Sequence, residues 1–160
     1  MRKVFIVNNK MEYGSILRAP LTESVKTDYL TLLTYLTDAP DIPLDLFVEK
    51  VHAICQMGTI LVCRIEGRVI GTGTLVCEPK LIHGGRFVGH IEDVVVHPEY
   101  RGQHVASTLL RMLVNEAIAH DCYKVILDCS AENTAFYEKN GFVQKNIQMA
   151  HYTAASLRVE

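Results

Sequence analysis

The sequence predicts an α/β fold with helices flanking a mixed central sheet, within a single domain over residues 1–160. Two observations carry that expectation. Along the chain the hydrophobic period changes in the order strand, two helices, an antiparallel run, then strand–helix–strand–helix–strand. A length of 160 residues suits one domain whose core needs no covalent staples.

"KVFIVNN" reads as a short first strand, and "LTESVKTDYLTLLTYLT" as an amphipathic helix with Val25, Tyr29, Leu32, Leu33 and Leu36 at helical spacing. "DAPDIP" breaks that pattern with two prolines, ahead of a second helix, "LDLFVEKVHAICQM", with Leu46, Phe47, Val51 and Ile54 on one face. From Thr59 the period shortens. "TILVCRIEG" and "RVIGTGTLVCEP" read as strands joined by a hairpin turn at Glu66–Gly67. After the loop "KLIHGGRF" come the strand "GHIEDVVV", the loop "HPEYRGQH" and a helix striped by Val105, Leu109, Leu110, Leu113, Val114 and Ala117. "CYKVILDCS" has the continuous apolar character of a buried strand. A short helix, "ENTAFYEKN", ends at Gly141, suited to a left-handed cap, and a final strand is expected near "FVQKNIQMAHY".

Composition narrows the function. A formal net charge of −2 without a long Lys/Arg run makes no case for nucleic acid as partner and favours a small ligand. No stretch approaches ~18 consecutive apolar residues, so no membrane span is expected. Five cysteines with no C-x-x-C pair suggest neither a disulfide framework nor a metal site. With too short an N-terminal apolar run for a signal peptide, the expectation is a soluble intracellular protein, cytoplasmic by default.

Chemistry concentrates in "HIEDVVVHPEYRGQHVASTLL". A helix that starts after a strand and a glycine-bearing turn offers unpaired backbone N–H groups and a positive dipole end, which suit phosphate. Residues 101–107 form such a turn. Ahead of it, Glu92 and Asp93 are adjacent on a strand, where neighbours face opposite sides. Either the strand bulges there, or the two acids serve different faces.

The segments "RGQHVA" and "NTAFYEKNGF" resemble the two signatures of the GNAT superfamily of acyl-CoA N-acyltransferases, a pyrophosphate loop and an Asn/Tyr helix ending in Gly-Phe. "GHIEDVVV", "CYKVILDC" and "FYEKNGF", in this order, are similar to the branch that acetylates the amine of D-glucosamine 6-phosphate. The likeness covers roughly residues 60 to 150. It implies the GNAT fold, acetyl-CoA as cosubstrate, a homodimer, and N-acetyl-D-glucosamine 6-phosphate as a product on the way to UDP-N-acetylglucosamine.

The resemblance also implies roles. Glu92 and Asp93 would hold the amino sugar, Glu92 relaying the amine proton through water, and Asp128 would orient the amine across a dimer interface. Val94, Val95 and Val96 would offer backbone N–H groups to the pantetheine arm and the carbonyl oxyanion. Arg101, Gly102, Gln103, His104, Val105, Ala106 and Ser107 would cradle the pyrophosphate, with Asn133 and Tyr137 beside the cofactor sulfur. A phenol, with an ordinary pKa of about 10, suits Tyr137 as proton donor to the leaving thiolate. Thr37, Lys80, His83, Tyr123 and Lys124 would contact the sugar phosphate. The family's C-terminal phosphate-binding arginine has no clear counterpart in "MAHYTAASLR", where His151 or Tyr152 falls near its place and Arg158 further on.

His104 departs from the loop pattern, which has glycine there. A non-glycine residue at positive φ costs on the order of 1 kcal/mol. The scaffold must hold His104 at negative φ or absorb that strain, with the backbone and not the ring as phosphate ligand. Two other readings stay open: a GNAT enzyme acting on another amine, such as a protein N-terminus or a polyamine, and a non-catalytic acyl-CoA sensor. Glu92, Asp93 and Tyr137 argue against the sensor, because cofactor binding alone needs none of them.

Overall fold

Strand pairing follows chain order. In a computed structural model, which describes residues 5–7 and 11–153, the chain divides into a unit up to Leu127 and a second from Asp128. The first unit holds β1 (Phe5–Val7), β2 (Met11–Ser15), β3 (Gly58–Ile65), β4 (Arg68–Pro79), β5 (Phe87–Val96) and β6 (Cys122–Ile126), adjacent in that order. Pairing is antiparallel as far as β5 and parallel between β5 and β6, so the sheet is mixed as expected. Glu66 and Gly67 turn the β3–β4 hairpin with φ of 51° and 83°, the positive values a two-residue turn of type I′ requires. Strand β2 escapes the sequence reading, because "MEYGS" carries neither β-branched residues nor a long alternation.

Alternation along β4 sends Thr72 and Thr74 to one face of the sheet and Gly71 and Gly73 to the other. On the first face lie α1 (Glu23–Leu33) and α2 (Leu44–Met57), whose Tyr29, Leu32, Phe47 and Val51 form a core with Ile60, Val62, Val69 and Val95. The α1 stripe stops short of expectation. Leu36 lies beyond the helix and is exposed, while Lys26 is buried, bonding Glu23, Asp41 and the Ile42 carbonyl at 2.9 Å each. It ties α1 to the proline loop. On the opposite face, α3 (Val105–Ala119) buries Val105, Leu109, Leu110, Leu113 and Ala117. It lies close to the sheet. A Cβ on Gly71 would stand 2.8 Å from Val105 Cγ1, and one on Gly73 2.9 Å from Leu113 Cδ1. Among the described residues no helix is long and apolar enough to cross a membrane.

Two strand expectations need correcting. The segment at 122–130 is not a buried strand: β6 ends at Ile126, and only Cys122 of its residues is buried. It is an edge strand in the first unit, paired only with β5 among the described residues, and its Lys124 and Ile126 side chains are exposed. In the second unit, the turn Ala131–Asn133 leads into α4 (Thr134–Lys139), and Gly141 closes the helix at φ 88° as anticipated. The final strand does not form. Residues 142–153 carry no regular structure, and Val143, Ile147 and Met149 are exposed. Alternation chooses a face, but a ladder needs a partner, and the second unit offers no other strand among its described residues.

Candidate active site

A bulge on β5 decides how the acids face. Its register with β4 runs Thr74↔Glu92 and then Thr72↔Val95, leaving Gly73 opposite both Asp93 and Val94. Asp93 takes φ 53°, a left-handed conformation that Asp tolerates better than most residues. Paired residues share a face, so Glu92 lies with Thr74, and Val95 with Thr72, on the α1 side. Without the extra residue, one of these would point at α3. Val94 instead packs toward α3, its Cγ2 3.5 Å from where a Gly73 Cβ would be. The phenol of Tyr29 is buried on the α1 side, with the Asp93 charge in its surroundings. Burial, and secondarily that charge, push the Tyr29 pKa up to about 12. Loss of surrounding water raises the Asp93 carboxyl above its ordinary range. Glu92 therefore works from the α1 face, and the strand is irregular at its acid pair, the bulged alternative of the sequence reading.

Tyr29, Thr72 and Thr74 support this corner and were not anticipated. Thr72 Oγ1 donates to the Leu61 carbonyl at 2.9 Å and lies 3.4 Å from the Tyr29 hydroxyl. Thr74 Oγ1 is buried without a hydrogen-bond partner among the described residues. The signal was in the sequence: Gly71-x-Gly73 inside a strand marks a bulge or a close backbone approach.

Past the bulge, β5 changes partners. Its parallel pairing with β6 covers Phe87 to His90 and stops at His90↔Ile126. From Ile91 to Val96 the β6 side of β5 has no strand partner among the described residues, while Val95 and Val96 remain paired with β4. An extended, amide-bearing ligand could occupy that edge as a strand would.

The loop from β5 to α3 ends at a helix N-terminus with the character of an anion site. Arg101 Nε donates to the Val96 carbonyl at 3.2 Å, and Gln103 Nε2 to the Glu99 carbonyl at 3.4 Å, fixing the turn. Gly102 and His104 both take positive φ, 76° and 60°. His104 is thus left-handed, and the scaffold absorbs its strain. As N-cap of α3 it makes no side-chain capping bond. The first intrahelical bond is Thr108 N to the His104 carbonyl at 3.0 Å, so the Val105, Ala106 and Ser107 amides precede the ladder and face the helix end. They fit a pyrophosphate.

The predicted sugar-phosphate residues fall into separate groups. Lys80 is ion-paired with Glu78, whose other oxygen bonds His90 Nε2 at 2.8 Å. Lys80 and His90 together pull the Glu78 carboxyl below its usual range. The His83 ring rests on Tyr123 with centroids 4.2 Å apart, and Lys124 Nζ lies 5.7 Å from the same ring. Tyr123 is itself set out of register, because Phe87 pairs Cys122 and Val88 pairs Lys124. Thr37 is exposed just beyond α1, its N–H bonded to the Leu33 carbonyl at 3.1 Å.

In the second unit, the Tyr137 ring packs edge-on to Phe136 and Phe142, at 5.1 and 6.0 Å between centroids. Burial raises the Tyr137 phenol above its ordinary pKa, keeping it protonated. Asn133 Nδ2 donates to Ser130 Oγ at 3.2 Å, and Asp128 accepts from Gln148 Nε2 at 2.7 Å. His151 and Tyr152 are exposed, and Arg158 lies outside the described residues.

Comparison with known proteins points to one family. A profile of the Acetyltransferase (GNAT) family matches residues 26–142. A rice (Oryza sativa subsp. japonica) protein named probable glucosamine 6-phosphate N-acetyltransferase 2 is 40% identical over 131 residues, covering 78% of this chain and 79% of the relative. The Trypanosoma brucei brucei glucosamine 6-phosphate N-acetyltransferase is 40% identical over 132 residues, covering 81% and 90%. The crystal structure of the Arabidopsis thaliana glucosamine-6-phosphate N-acetyltransferase superposes with a TM-score of 0.81 at 32% identity, covering 90% of this chain and 99% of the other.

His104→Gly removes a Cβ from a left-handed position while preserving the amide. It should raise stability by up to about 1 kcal/mol, or about 2–4 °C in Tm, and leave acetyl-CoA affinity within about threefold. Thermal unfolding and calorimetric titration at pH 6 and pH 8 check this. A tenfold loss of affinity, larger at pH 6, would instead make the imidazole a phosphate ligand.

Proposed function

This chain belongs to the acetyltransferase (GNAT) family, and from that premise we propose that it transfers the acetyl group of acetyl-CoA to the amine of D-glucosamine 6-phosphate. The observation that carries the reading is the bulge at the Glu92–Asp93 pair, with Glu92 on the sheet face along which Lys124 follows. Val88, which pairs with Lys124, is four residues from Glu92, about 13 Å along the strand. A ligand with an amine at one end and a phosphate at the other suits this polarity, with long side chains spanning the difference. The named relatives support the same substrate.

The chemistry follows from the groups in hand. Glu92 and Asp93 hold the ammonium and draw off its proton; the raised Asp93 carboxyl accepts a proton more readily than an ordinary aspartate. The amine then attacks the thioester carbonyl directly in a ternary complex. Backbone amides of 94–96 hold the pantetheine arm and the oxyanion, and those of 101–107 the pyrophosphate. Tyr137 gives its proton to the departing sulfur, and Asn133 stands on the same helical segment. Asp128 orients the amine, while Thr37, Lys80, His83, Tyr123 and Lys124 receive the sugar phosphate. The product, N-acetyl-D-glucosamine 6-phosphate, would feed UDP-N-acetylglucosamine formation. An intracellular setting suits five free thiols, three of them buried.

The active species is a homodimer in this reading. Val143, Ile147 and Met149 sit at alternating positions and are exposed in one chain, the pattern of a strand whose partner is a second copy.

Thiol release from acetyl-CoA, measured in parallel with glucosamine 6-phosphate, glucosamine, spermidine and a short peptide, tests the substrate. Reaction with glucosamine 6-phosphate is expected; reaction only with unphosphorylated amines would reject it. In that assay Tyr137→Phe should lower kcat by about 10- to 1,000-fold with little change in acetyl-CoA affinity. Unchanged kcat would remove Tyr137 from the mechanism. Sedimentation at micromolar concentration should give a dimer, and a monomer there would contradict the assembly.

A further inference from the structure

Glu78 and His90 form a dyad that the functions assigned above leave unused. His90 pairs with Val76 and Glu92 with Thr74 in unbroken register, so the two side chains lie on the same sheet face, two residues apart. Successive same-face positions are separated by about 7 Å, close enough for one water to bridge long side chains. Glu78, on the diagonal from His90 across the β4–β5 pair, holds His90 Nε2 at 2.8 Å. A carboxylate in that place fixes the neutral tautomer with hydrogen on Nε2, which leaves Nδ1 a lone pair. The His90 side chain keeps 31% of its surface exposed, so a proton taken up at Nδ1 can pass to solvent.

We propose that His90, oriented by Glu78, is the outlet for the proton released in acetyl transfer, receiving it from the Glu92 corner through water. This rests on the acetyl-transfer reading above. Two protons leave the substrate nitrogen. The first leaves as the ammonium becomes an amine, and the second from the nitrogen of the tetrahedral adduct, after the C–N bond forms and before the amide is complete. When the C–S bond breaks, the thiolate takes a proton from Tyr137, and one of the two nitrogen protons restores the phenol. The other has no place in the products, amide and free thiol, and must reach solvent. The Glu92–water–His90 row supplies that exit. The charged groups around His90 are Glu78 and, through it, Lys80 on the β4 side, Glu92 on its own strand, and Lys124 on β6. Glu78 is the positioning residue: it selects the tautomer of His90.

The test is a set of variants of the full chain assayed with glucosamine 6-phosphate across pH 6 to 9. His90→Ala should lower kcat by about 10- to 100-fold while the acetyl-CoA KM stays within about twofold, and added imidazole should restore at least a tenth of the lost rate. Glu78→Gln, which keeps shape and loses the carboxylate, should lower kcat by about tenfold and change the pH profile. If His90→Ala does not fold, His90→Gln is read by the same kcat and pH profile. A kcat within twofold of wild type in these variants overturns the proposal. So does a loss that imidazole fails to relieve together with an unchanged pH profile, because that pattern marks a structural role. An inactive wild-type protein would fail the substrate reading, whereas an active wild type with unaffected variants fails only this inference.

Discussion

One extra residue in β5 is the constraint on which the arrangement depends. Gly73 faces two residues, Asp93 and Val94, and this mismatch puts Glu92 and Val95 on the same side of the sheet and leaves both acids exposed. In a regular strand one carboxylate would be pressed against the Leu113 side of the molecule, unpaired and buried, at a cost of several kcal/mol. The bulge avoids that burial. It sets Glu92 on the face where Tyr29, Thr72 and Thr74 lie. Gly73 is part of the same device, since any side chain there would meet Leu113 and Val94.

The rest of the first unit keeps that corner rigid and its surroundings open. Close packing of α3 over Gly71 and Gly73 sets the helix start beside the end of β5, and Arg101 fastens the intervening loop to Val96. The parallel contact with β6 stops at His90, two residues before the acids, so the strand edge is released where a ligand's amides would need it. Left-handed backbone recurs at these junctions, at Asp93 and His104. Strain of order 1 kcal/mol at each is retained where it aims an amide or a carboxylate.

Much of this was legible in the sequence, and the gaps have identifiable causes. Periodicity located α2, α3 and the β3–β4 hairpin because their apolar stripes are buried against one surface. It could not anticipate the buried Lys26, whose partner carbonyl lies sixteen residues away at Ile42. The residues of the bulge were visible as an adjacent acid pair, but which face they took depended on register with Gly73, a property of the neighbouring strand. The strand expected after Gly141 failed for the opposite reason: its alternation is present, yet alternation carries no information about a partner. The same limit applies to β6, whose apolar run reads as central although it is an edge in this unit. Loop residues were identified by motif alone. Motif could not tell that Lys80 is already bound to Glu78.

If the bulge is the organising constraint, position 93 should tolerate glycine and reject a β-branched residue, whatever becomes of catalysis. Glycine adopts positive φ freely, whereas valine there is a severe outlier. The decisive measurement is a pair of urea unfolding curves for Asp93→Gly and Asp93→Val. The account predicts stability at or above wild type for glycine and a loss of about 1–3 kcal/mol for valine. Valine as stable as glycine would mean that residue 93 is extended, and that β5 is not bulged at its acid pair.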